Sequence, residues 1–201
     1  MAATGIFIIV GTAIGLIRAL PQLLRLVRTQ DAQGVSADSA GTISVVSFAW
    51  AAYGMLTDQV AVALASGASA VMFGIVTAVA LRLGRRVSEM RTTPVWLIVL
   101  AFAGSVGGAQ GLGLLLPVSV LVANVPQLLV AWRERDLSGL SLGTWVLSVA
   151  EAAVWGTYGL LAGDRAILVH NVLHLTTSGG IVLLRLAKTR RLGQEALAGY
   201  P

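Results

Sequence analysis

The chain contains no cysteine, which excludes a disulfide framework and any thiolate metal site. It is also poor in charge. Only 11% of its 201 residues are Asp, Glu, Lys or Arg, where a soluble domain carries roughly 25%. Such a chain cannot cover a water-facing surface. With 56% hydrophobic residues and a mean hydropathy of +0.83 it reads as an all-α integral membrane protein. No nucleophile elbow, phosphate-binding glycine loop, Ser–His–Asp set or His-Glu-x-x-His pattern occurs, so no enzyme, cofactor or metal is expected. Proline is scarce, five in all, so each one inside an apolar run carries information.

Two of the five begin the same words. Pro21-Gln22-Leu23-Leu24 returns as Pro126-Gln127-Leu128-Leu129, an offset of 105 residues. At that offset Asp31 meets Asp136, Gly34 meets Gly139 and Ser36 meets Ser141, and Trp50, Tyr53 and Gly54 meet Trp155, Tyr158 and Gly159. A constellation held at one offset reads as an internal duplication.

A helical span needs about 20 mostly apolar residues. The sequence offers residues 5–28, 40–57 and 59–83, then a run from 93 to 134 that is too long for one crossing, then 142–162 and 165–187. Glycines at 111–113 mark the expected break in the long run, giving seven spans. The first run lacks a basic leader and is too long for a signal core, so it is expected to stay as a span. Twelve of the fourteen lysines and arginines follow spans one, three, five and seven. This bias places the N-terminus outside and the C-terminus in the cytoplasm, and makes the net charge of +5 a topology signal; no nucleic-acid partner is expected. Both Pro-Gln spans then run the same way, which requires one extra crossing between two three-helix units. The organisation expected is a first repeat over 1–83, a cytoplasmic loop and linker helix over 84–111, a second parallel repeat over 112–187, and a basic tail over 188–201.

A proline in a span removes a hydrogen bond and kinks the helix. Pro21 and Pro126 are therefore candidate hinges, with the Gln22 and Gln127 amides at hand for the freed carbonyls. Trp155 offers a flat apolar face suited to the C–H face of a sugar, and Asn171 lies at similar depth on the next span. Trp50 and Ser66 stand in the same relation in the first repeat. Trp96 and Trp132 read as interfacial anchors. Arg18, Glu151 and His174 are ionisable, fall near the centres of their spans and form a candidate intramembrane charge layer. Glu151 lies four residues before Trp155 and His174 three after Asn171, so each shares a face with its neighbour. Their counterparts in the first repeat, Val46 and Ser69, do not titrate.

Two Pro-Gln pairs, each in the inner half of a repeat's first helix and each followed by a Gly-x-Ser loop, resemble the PQ-loop family. The 3-1-3 order is similar to its SWEET branch, a standing example of parallel-repeat transporters. The resemblance implies a substrate cavity between the repeats. It is lined by a Trp on the second helix and an Asn sixteen positions later on the third, here Trp155 with Asn171, and Trp50 with Ser66 in place of Asn. It also implies that Tyr53, Tyr158, Asp58 and Asp164 sit near the outer mouth, the two tyrosines and Asp164 as gate residues with the Pro-Gln pairs. Spans two and six lack the further prolines that many SWEETs carry there. The function implied is uniport of a small neutral solute, a mono- or disaccharide, by alternating access, in a multi-pass protein of the cell membrane whose partners are that solute and the lipid bilayer. Homo-oligomers, a proton-coupled carrier of an amino acid or organic ion, and a non-transporting receptor stay open.

Overall fold

Inside a bilayer every backbone N–H and C=O must find its partner within the chain, and among the described residues this chain answers with helices. The structure, a computed structural model, describes residues 2–32, 35–134, 137 and 141–198, with backbone alone for residues 2–4, 8, 18, 21, 123 and 192–198. The helices are α1 (Ala2–Thr29), α2 (Ala37–Leu56), α3 (Val60–Arg82), α4 (Thr92–Arg133), α5 (Leu142–Ala162) and α6 (Arg165–Ala198). All six are long and apolar enough to cross a membrane. Hydroxyls within them are satisfied locally. Thr77, Thr157, Thr176 and Thr177 each donate to the carbonyl four residues back, as expected where no water is at hand.

At 42 residues, α4 would measure about 63 Å if straight, twice a hydrocarbon core of about 30 Å. It is not straight. Gly108 has φ 55 and ψ −135, a region open essentially to glycine. A Cβ on Gly111 would lie 2.1 Å from the Ala103 carbonyl oxygen, whereas eight residues of straight helix span about 12 Å. The chain therefore folds back at Gly108 into two arms, 92–107 and 109–133. The break expected at residues 111–113 is thus displaced: Gly108 makes the turn, and Gly111 lets the arms close behind it. Helical dihedrals run on through Pro117 and Pro126.

The chain divides into two compact units, residues 1–116 and 117–201, so the first arm of α4 groups with the first unit. In that unit α3 packs against both α1 and α2. In the second, α6 packs against α5 and, through Gly180 on Leu128, against the second arm of α4. Both units thus set their third helix between the other two, and the buried cores coincide at the 105-residue offset. Leu26, Ala32 and Val76 of the first core correspond to Ala131, Leu137 and Ile181 of the second.

The helix ends repeat as well. Ser36 and Ser141 cap α2 and α5 by accepting from the N–H of Ser39 and Thr144, which explains the serine of the Gly-x-Ser loops; Gly34 and Gly139 lie outside the described residues. At the other end of these helices, a Cβ on Gly54 would lie 2.6 Å from Ala63 N, and one on Gly159 2.8 Å from Leu168 N. Both are backbone atoms and cannot yield. Asp58 has φ 57 and its counterpart Gly163 φ 68. Asp58 therefore occupies the left-handed turn position of the α2–α3 junction, one position before the counterpart of Asp164, which is Gln59.

Gly54→Ala and Gly159→Ala should each lower stability by about 1–3 kcal/mol through overpacking. A Cβ on Gly179 meets nothing within 4 Å, so Gly179→Ala serves as the control. Thermal unfolding in detergent checks this, and equal melting temperatures for all three variants would mean that the hairpins are not tight.

Candidate functional site

The α5–α6 hairpin builds the better-endowed half of the candidate site. Trp155 stands four residues before Gly159 and Asn171 three after Leu168. The glycine contact therefore brings the two to one level. Asn171 is buried, and a Cβ on Gly156, beside Trp155, would lie 3.4 Å from the Asn171 Cβ. The Asn171 amide Nδ2 donates to the Ile167 carbonyl at 2.8 Å, leaving Oδ1 and one N–H for another partner. Trp155 meets Tyr158 edge to face, with ring centroids 5.6 Å apart. The first unit repeats this: Trp50 meets Tyr53 at 5.5 Å in the same T-shaped arrangement, a geometry that the ring quadrupoles favour. Ser66, half-buried on α3, lies level with Trp50 by the same count, four residues before Gly54 and three after Ala63.

One to two turns further along α6 the surroundings become polar. His174 is buried, its ring 6.0 Å from that of His170, and Glu151 on α5 is half-buried. Below them, Asn124 on the second arm of α4 donates to Thr177 Oγ1 at 2.8 Å and to Ser178 Oγ at 3.2 Å. The counterparts of this trio in the first unit are Ala19, Met72 and Phe73, all apolar. Asn124 has a signal in the sequence, an amide inside an apolar run two residues before Pro126.

The gate residues are less concentrated. Pro126 lies within regular helix on the second arm of α4, and the side chains of Pro21 and Arg18 lie outside the described residues. Among the described residues neither Gln22 nor Gln127 donates a side-chain hydrogen bond, so the carbonyls freed by the prolines are not covered in that way here. Asp164 accepts from the Ile167 N–H at 2.9 Å through Oδ1, which makes it the N-cap of α6.

At the opposite helix ends, cations cover open carbonyls. Lys188 donates to the carbonyls of Ala131 and Trp132 at 2.8 Å and to that of Glu134. Arg85 donates to Ala32 at 3.2 Å. Asp38, in the first turn of α2, accepts from the N–H groups of Thr92 and Thr93 at 2.8–3.0 Å and so caps α4 from outside. No group of three or more metal-ligating side chains is found among the described residues.

No family model matches the chain. Over 65 residues it is 34% identical to the sugar transporter SemiSWEET of Bradyrhizobium diazoefficiens, a match covering 32% of this chain and 76% of that protein. The chain belongs to the SemiSWEET–SWEET family. Within that family, its fold resembles a solved eukaryotic SWEET transporter with a TM-score of 0.72 at 15% identity, covering 94% of this chain and 100% of the other. An uncharacterized protein, MJ0110 of Methanocaldococcus jannaschii, is 36% identical over 53 residues, 26% of this chain and 57% of that one. Like its transporter relatives, the chain is a multi-pass membrane protein and not an enzyme.

The cap at Asp164 yields a prediction. Asn caps as well as Asp, whereas Ala does not. Asp164→Asn should be nearly neutral and Asp164→Ala should cost about 1 kcal/mol of stability. A loss of solute flux in Asp164→Asn at unchanged melting temperature would instead assign the charge a gating role with Tyr158.

Proposed function

We propose that the chain moves a small neutral solute, a mono- or disaccharide, across the cell membrane by alternating access, with its N-terminus outside, its C-terminus in the cytoplasm, and its helices in a 3-1-3 order. The carrying observation is the duplicated edge-to-face Trp–Tyr pair with a polar residue level with each Trp. An aromatic face matches the C–H face of a sugar, and the free half of the Asn171 amide matches its hydroxyls. Trp50, Ser66, Trp155 and Asn171 are the proposed substrate residues. Their asymmetry, serine in one unit and asparagine in the other, suits an asymmetric solute. Sugar transport by the Bradyrhizobium relative supports this reading, and so does the bias of lysine and arginine toward one side. Pro21 and Pro126 are proposed as the points where the first helix of each unit bends between states, with Tyr53 and Tyr158 closing the outer mouth.

Counterflow of labelled sugars in proteoliposomes tests the proposal. Wild-type protein should exchange at least one sugar of a mono- and disaccharide panel. Asn171→Ala leaves a solute hydroxyl unpaired, at a cost of about 1–3 kcal/mol, or roughly 5- to 150-fold in affinity. A flat time course across the panel would remove the transport reading, and normal affinity in Asn171→Ala would remove the site.

A further inference from the structure

We propose that Lys188 is the latch of the second unit's Pro-Gln helix: its ammonium group, set on three carbonyls at the end of α4, holds that end against α6 and lets go when the helix bends at Pro126. The proposal rests on the bend at Pro126 put forward above and adds the group that controls it. The last four carbonyls of a helix lack internal partners. In α4 the Val130 carbonyl still accepts from the Glu134 N–H at 2.9 Å, and those of Ala131 and Trp132 come next. Lys188 on α6 donates to both at 2.8 Å and to that of Glu134. All three protons of the ammonium group are then in use.

Pro126 thus lies between two ties to α6. Two residues before it, Asn124 donates to Thr177 Oγ1 and Ser178 Oγ. Five to eight residues after it come the carbonyls that Lys188 holds. The apolar hold on this end of α4 is light. The helix itself gives Ala131 to the core, with one methyl group, while the large residue, Leu137, stands past the helix end. In the first unit the large residue, Leu26, stands on α1 itself. There Leu83 occupies the position of Lys188, and Arg85 reaches Ala32, beyond the end of α1. The charged tie is found where the helix lacks a large side chain of its own.

The geometry makes the tie sensitive to a bend. Residues 127–133 form an arm about 10 Å long, and a kink of about 20° swings its tip by about 3.5 Å. A swing of that size away from α6 takes the carbonyls from 2.8 Å to well past the roughly 3.5 Å limit of a hydrogen bond. Asn124 precedes the kink and keeps its partners. Lys188 is half-buried and near the end of its span, so water takes over the ammonium group and the carbonyls. Exchange of one set of hydrogen bonds for another keeps the latch reversible.

The experiment reads the bend directly. The chain has no cysteine, so Arg133→Cys and Leu183→Cys, both at exposed positions, supply the only thiols for a pair of spin labels. Dipolar spectroscopy in proteoliposomes, without sugar and with each sugar of the panel, should show a short and a long distance. Lys188→Leu, which places the first unit's own residue, should raise the ratio of long to short about tenfold, as loss of one charged hydrogen bond gives. Lys188→Gln, with two amide protons for three carbonyls, should fall between. In a Pro126→Ala background Lys188→Leu should leave the ratio unchanged. An unmoved ratio in both Lys188 variants would overturn the latch and leave the bend standing. A ratio that moves as far in the Pro126→Ala background would mark fraying of the helix end, and would overturn the latch as well. A single distance under all conditions in a wild type that exchanges sugar would remove the bend at Pro126 and the latch with it, while transport stands. A wild type that exchanges no sugar defeats the transport reading, while the ratio still decides on the latch.

Discussion

A glycine pressed against a backbone nitrogen sets the register of the hairpin between the second and third helices of each unit, and with it the level of the proposed substrate side chains. Gly54 on Ala63 and Gly159 on Leu168 hold the second and third helices of each unit closer than any Cβ would permit. Without a hydrophobic drive between helices in lipid, such close approach is a main source of association, because it lets two backbones share dispersion contacts. From that point the count is arithmetic. Four residues back on one helix and three forward on the other are one level, and there stand Trp50 with Ser66 and Trp155 with Asn171. The sixteen-residue interval in the sequence is the trace of this hairpin.

The second constraint is the helix end. Four N–H groups and four carbonyls per helix lack internal partners, and near a membrane each must be met. Ser36, Ser141 and Asp164 meet N-termini from the preceding residue, while Asp38 reaches from α2 to do the same for α4. Lys188 covers carbonyls in the last turn of α4, and Arg85, just past α3, covers that of Ala32, just past α1. In each unit a cation thereby ties the end of the third helix to the end of the first. Arginine and lysine suit this duty, since cations are favoured at helix C-termini.

Much of this could be read in the sequence wherever the duplication spoke twice. The spans, the capping serines, the Trp–Tyr pairs and the level of Asn171 all sit at positions matched at offset 105, so local pattern and fold agree. What the sequence hid lies where the units differ. Gly108 was one of several glycines in a long apolar run, and only a tertiary contact, Gly111 against Ala103, shows which of them turns. Asp38, which caps the start of α4, corresponds to Gly143 in the second unit, so the duplication did not announce it. Asp58 takes the left-handed turn position that Gly163 holds in the second unit, which its residue type does not announce. Asn124 has no polar twin.

The buried cores carry a record of their own. In the first unit a large residue at 26 accompanies a small one at 32, and in the second the small residue stands at 131 and the large one at 137. Leu and Ala have exchanged places while the volume filled has stayed nearly constant, as close-packed interiors demand. Neither exchange is tolerable alone, since one step opens a void and the other crowds the core. The two units therefore fill equivalent cores by different placements of the large residue. A graft that carries one core residue from half to half inherits a defect, whereas one that carries the pair inherits a complete solution.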